Sequence, residues 1–158
     1  MYRSADGGVT WTDVSAELAN PFVYVVAVHP TDPNTVYAGT QLFYGAEDFH
    51  TYEEQKLVDG IYKSEDAGRS WRLLREGWVE NIVIDPVRPD SIYYNEHSER
   101  IWHSPDGGRT WELATKGMVA WMAHLYVYHM VIDPTGTVMY ATSCGLGVYR
   151  NRVRGPES

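Results

Sequence analysis

An all-β chain of repeated four-stranded antiparallel meanders is the fold class this sequence predicts, and two recurring patterns predict it. The first is an eight-residue pattern, Ser-x-Asp-x-Gly-x-Thr/Ser-Trp, present at Ser4–Trp11, Ser64–Trp71 and Ser104–Trp111. Its copies start 60 and then 40 residues apart, a period at which one supersecondary unit recurs. The second pattern runs between them. An apolar run closed by proline occurs at Val26–Pro30, Ile82–Pro86 and Met130–Pro134, each followed by a turn and a Tyr-bearing segment.

Each element follows from its residues. Val26-Ala27-Val28, Ile82-Val83-Ile84 and Met130-Val131-Ile132 are apolar at every position, which predicts strands buried on both faces. Proline ends them because it cannot donate to a ladder. Asp32-Pro33-Asn34 and Thr135-Gly136 are turn chemistry. Thr35–Ala38, Ser91–Tyr94 and Val138–Ala141 are second strands, and Gly60–Lys63, Arg100–His103 and Gly147–Arg150 are third strands. The eight-residue pattern turns the chain into a fourth strand. Its Asp accepts backbone N–H groups across the turn, its Gly permits a positive φ, and its Trp packs beneath. No segment suggests a helix.

These residues resemble the Asp-box, or BNR, repeat of sialidases, xyloglucan-active glycoside hydrolases, sortilin-type receptors and photosystem II assembly factors. The strand pair Val26–Thr40 with Gly60–Trp71 is most similar to the bacterial xyloglucanase-like propeller proteins, and the resemblance covers Met1 to Arg150. It implies β-propeller blades in which Ser4, Asp6, Gly8, Trp11, Ser64, Asp66, Gly68, Trp71, Ser104, Asp106, Gly108 and Trp111 are structural. It implies no one chemistry, because the family spans enzymes and non-enzymes.

The expected organisation is a partial propeller over residues 1–152: a blade remnant at 1–15, blades at 22–76 and 79–115, a partial blade at 125–152, and a polar tail at 153–158. That is about three blades, an incomplete ring, where propellers close with roughly 4–8 blades. Three arrangements answer the shortfall. Further blades of a longer polypeptide are the first expectation, assembly of copies the second, and a small distorted ring the third.

Bulk chemistry narrows the functions. The formal net charge is −8 with no Lys/Arg run, which excludes phosphate-backbone binding and so nucleic acid. The longest apolar stretch, Met118–Ile132, is interrupted by His124 and His129 and is too short to span a membrane. Cys144 is the single cysteine, so no intrachain disulfide forms. No metal or cofactor motif is present, and the expectation is neither. Met1 to Asp6 has no apolar signal core, whereas the resemblance implies an exported or cell-surface protein.

Function is expected at the end of the blades opposite the eight-residue turns, in loops. The inserted segment Gln41–Asp59 carries Tyr44, Asp48, His50 and Tyr52, and Trp78, Glu80, Trp121 and His124 fall on the same side. Aromatic faces beside acidic acceptors suit sugar rings. These eight are the candidate binding residues, and no catalytic residue is assigned. The expected function is a recognition or scaffold module for a polysaccharide or protein, without catalysis of its own. The alternative is part of a xyloglucanase-like glycoside hydrolase, for which Asp48 with Glu80 is the conceivable carboxylate pair.

Overall fold

The computed structural model describes residues 1–41, 57–97, 100–114, 127–143 and 147–153. Among them are thirteen strands and no helix, in four antiparallel sheets. Two compact units divide the chain, Met1–Trp78 and Val79–Ser158.

The first unit opens with β1 (Tyr2–Arg3) paired to β2 (Thr12–Asp13). A four-stranded meander follows in chain order: β3 (Val23–Val28), β4 (Val36–Thr40), β5 (Gly60–Ser64) and β6 (Arg72–Glu76). β4 and β5 are the buried strands. Gly60 is required where β6 crosses, since a Cβ there would lie 2.5 Å from both the Arg75 carbonyl oxygen and a Leu73 methyl. β3 departs from the expectation of burial on both faces. Val26 and Val28 are exposed, because no further strand of this unit lies over that face.

The second unit holds a meander of β7 (Val79–Ile84), β8 (Ile92–Glu96), β9 (Arg100–Ser104) and β10 (Glu112–Leu113), and a three-stranded sheet of β11 (Val127–Ile132), β12 (Val138–Ser143) and β13 (Gly147–Arg152). Tyr93 and Ile101 of the first sheet pack against Val127, Met130, Met139 and Ala141 of the second, forming one apolar core. Each such side chain stabilises the pair of sheets by about 1.5–3 kcal/mol relative to exposure.

The turn after each first strand uses one device. Asp85 Oδ1 accepts the N–H groups of Val87 and Arg88 at 2.8 and 3.1 Å. Asp133 Oδ1 accepts those of Thr137 and Val138 at 2.8 and 2.7 Å. In the first unit His29 replaces the carboxylate, its Nδ1 accepting the Asp32 N–H at 3.1 Å.

The three eight-residue turns share one geometry. The serine Oγ accepts the glycine N–H at 2.7 Å for Ser4–Gly8 and 2.8 Å for both Ser64–Gly68 and Ser104–Gly108. The aspartate Oδ1 accepts the N–H four residues on, at 2.9 Å for Thr10, 2.9 Å for Ser70 and 2.8 Å for Thr110. The glycines take φ of 92°, 89° and 93°.

Candidate functional site

Every first strand carries a β-bulge at the end opposite these turns. Pairing skips Tyr24 between Val23 and Val25, Glu80 between Val79 and Asn81, and Tyr128 between Val127 and His129. The bulged residue stands six positions before the strand-ending proline each time. A bulge re-aims the side chain it displaces. Tyr24 and Tyr128 are exposed as a result, and Glu80 is half-buried.

In the second unit buried amides fix this end. Asn95 Nδ2 donates to Glu80 Oε2 at 3.0 Å and to the Val127 carbonyl at 2.7 Å. One amide therefore holds Glu80 against the residue preceding Tyr128. Asn81 ties the same two sheets together. Its Oδ1 accepts the Met130 N–H at 3.3 Å, and its Nδ2 lies 2.8 Å from His129 Nδ1. Beside them the Trp102 indole donates to Glu96 Oε2 at 2.7 Å. In the first unit the same end holds the buried pair Asn20–Asp59 at 2.9 Å.

The carboxylates of the eight-residue turns are ill-suited to acid catalysis. The Thr10, Ser70 and Thr110 hydroxyls, with the backbone N–H groups of the same residues, bring the pKa values of Asp6, Asp66 and Asp106 down to about 2. Asp133 is lowered likewise to about 2, first by the Thr135 hydroxyl. A general acid in glycoside hydrolysis needs the opposite shift. Among the described residues no group of three or more His, Cys, Asp or Glu could hold a metal ion.

A cleft of about 410 Å³ opens in the second unit, lined by Tyr93, His103, Glu112, Tyr149, Arg150 and Arg152 among others. There Ser91 Oγ lies 2.9 Å from His103 Nε2, and His103 Nδ1 lies 2.9 Å from Glu112 Oε1. The sequence hydroxyl–imidazole–carboxylate has the outline of a nucleophile relay, but the repeat explains His103 better. It stacks on Tyr93 at 4.3 Å, and in the first unit the equivalent pair is Lys63 over Tyr37 at 5.7 Å. A basic side chain over the second-strand Tyr supports the sheet.

Of the residues expected from sequence, Glu80 stands at a bulge and Trp78 is half-buried at the end of the first unit. Tyr44, Asp48, His50, Tyr52, Trp121 and His124 lie outside the described residues, so the Asp48–Glu80 pair has no geometry here. Tyr24, Tyr128, Asn81 and Asn95 were missed. For the two tyrosines the signal was present: a valine, then the bulged residue, then six positions to proline.

No family model matches the chain, and no curated protein matches it. Solved structures do. An ancestral GH74 enzyme superposes with TM-score 0.69 and 21% identity over 99% of the chain. The GH74 enzyme of Niastella koreensis gives 0.67 and 18% over 98%, and YCF48 bound to a D1 peptide gives 0.59 and 15% over 97%. The chain has the fold of β-propeller blades. It spans 21% and 25% of the two GH74 chains and 44% of the YCF48 chain. Among its described residues no helix is long and apolar enough to cross a membrane.

Proposed function

We propose that the chain is an Asp-box propeller segment that binds a polysaccharide without cleaving it. The observation that carries this reading is the second unit's bulge pair: Asn95 holds Glu80 in place beside Val127, and the next residue, Tyr128, is turned outward. An exposed aromatic face with an anchored carboxylate suits a sugar ring, which offers C–H groups to one and hydroxyl donors to the other. Tyr24 repeats the aromatic in the first unit. The inserted segment with Tyr44, Asp48, His50 and Tyr52, together with Trp78, Trp121 and His124, extends the same proposal. Likeness to GH74 enzymes supports a glycan ligand, and the depressed pKa values of the turn aspartates speak against catalysis by them.

Affinity electrophoresis in gels containing xyloglucan or mixed-linkage β-glucan tests this. The wild-type chain should be retarded, and Tyr128→Ala should lose most of that retardation while its circular dichroism stays unchanged. Equal migration of both proteins in every glycan gel would sink the reading. Release of reducing ends that Glu80→Gln abolishes would instead favour the glycoside hydrolase alternative. A protein ligand is the second reading, favoured by the peptide bound to YCF48.

A further inference from the structure

The repeat supplies an internal standard for what each sheet face should touch. In the second unit, Tyr93 and Ile101 point at the following sheet and are 8% and 3% exposed. Their equivalents in the last sheet, Tyr140 and Val148, are 39% and 66% exposed. Val83 is packed against that core, while its equivalent Val131 is exposed. Cross-strand register places Val131 opposite Tyr140 and Tyr140 opposite Arg150, so these residues share one face with Val148. This is a following-side face with nothing following it among the described residues.

The first meander shows the reverse. Met130 points at the preceding sheet and is 2% exposed, whereas its equivalent Val26 is 45% exposed. Val28, two residues on, is exposed on the same side. The two open faces are therefore the two halves of the contact that the second unit makes internally, where Tyr93 and Ile101 meet Met130.

We propose that a second copy of this chain covers them, the Val131–Tyr140–Val148 face of each copy docking on the Val26–Val28 face of the other. Charge favours the pairing. Residues 1–78 hold six Lys/Arg against twelve Asp/Glu, and β13 offers Arg150 and Arg152 on the face of Val148. Size selects two copies. Twice the thirteen described strands falls within the roughly 4–8 four-stranded blades of a propeller, and three times exceeds it. A chain of this length is also 44% of a YCF48 propeller chain. A contact between unlike faces that closes after two copies leaves neither face open.

Light scattering on the full chain after gel filtration, across the micromolar range, is the test. The expected mass is twice the 18.0 kDa of the chain. Val131→Glu and Val26→Lys alter exposed positions on opposite faces, so each variant should keep the wild-type circular dichroism. Each should raise the dimer dissociation constant at least ~tenfold. Mixing the two should restore a dimer, because one of its contacts joins the new opposite charges and the other is wild type. An 18.0 kDa particle at every concentration overturns the proposal and assigns the faces to further repeats of one polypeptide. Dimers of each variant as stable as wild type place the contact elsewhere. Failure of the mixture to associate, with both variants monomeric, overturns the pairing of unlike faces.

Discussion

The turns at Ser4–Trp11 and Ser64–Trp71 are the same object in two surroundings. Their serine and aspartate bonds agree to 0.1 Å, and their glycines share a φ near 90°. Their tryptophans differ. Trp11 is 62% exposed and donates only to the Gly8 carbonyl. Trp71 is half-buried and donates to both the Gly68 and the Val14 carbonyls at 3.1 Å, with Val14 lying over Gly68. The turn is thus made by its own eight residues, and its burial is made by the neighbouring strand pair. A third copy shows a third outcome, Trp111 meeting Tyr94 edge-on at 5.1 Å with its indole N–H buried and without a partner.

Tryptophan replacement should expose this difference most strongly. Trp71→Ala should cost about 2–3 kcal/mol, below the ~3–5 of a fully buried tryptophan because the ring is only half-covered. Trp11→Ala should cost under ~0.5 kcal/mol, as exposed substitutions do. Urea unfolding followed by far-ultraviolet circular dichroism measures both. Equal costs would mean that the turn, not Val14, sets the value of the tryptophan.

The same division explains what the sequence made legible. Local chemistry was readable. Ser-x-Asp-x-Gly encodes its turn within eight residues, and Ile84-Asp85-Pro86 encodes a strand end with its cap. What was not readable depends on partners that the local pattern does not name. Val26 and Ile82 read alike, yet one is open and the other is buried. Trp71 read as buried, and it is half-covered. The bulges fell between these cases. Tyr24, Glu80 and Tyr128 differ in chemistry, so they did not look like a repeat, although their distance to proline is constant. Asn81 and Asn95 read as ordinary polar residues at strand ends, because their role lies in reaching across to β11.

Acid should treat the two turns alike. Asp6 and Asp66 are each lowered from 3.8 to about 2, chiefly by a hydroxyl and a backbone N–H. A carboxylate depressed on folding contributes stability that is complete above its unfolded value and is lost as pH falls through its folded one. The contribution should therefore fade between about pH 4 and pH 2 in both turns. Carboxyl-carbon nuclear magnetic resonance should show both titrating near 2, and the urea midpoints of wild type and Asp66→Asn should converge over that window. A normal midpoint for Asp6 alone would show that the Val14 contact, absent there, is needed to order the turn.

The smallest effect isolates backbone strain from surroundings. The residue before the repeated glycine also takes a positive φ: 73° at Gly7, 71° at Gly107, but 62° at Ala67. An L-residue in this region costs about 1–2 kcal/mol, partly offset because alanine restricts the unfolded chain more than glycine does. Ala67→Gly should stabilise the chain by about 0.5–1 kcal/mol, and Gly7→Ala, with no atom within 4 Å of the new Cβ, should destabilise by a similar ~0.5–1. Ala67 is buried and its N–H donates to the Asn34 carbonyl at 2.8 Å, a bond that glycine keeps. If Ala67→Gly proves destabilising while Gly7→Ala behaves as expected, the buried methyl outweighs the strain. Surroundings would then govern this turn even at the position where backbone geometry is most nearly local.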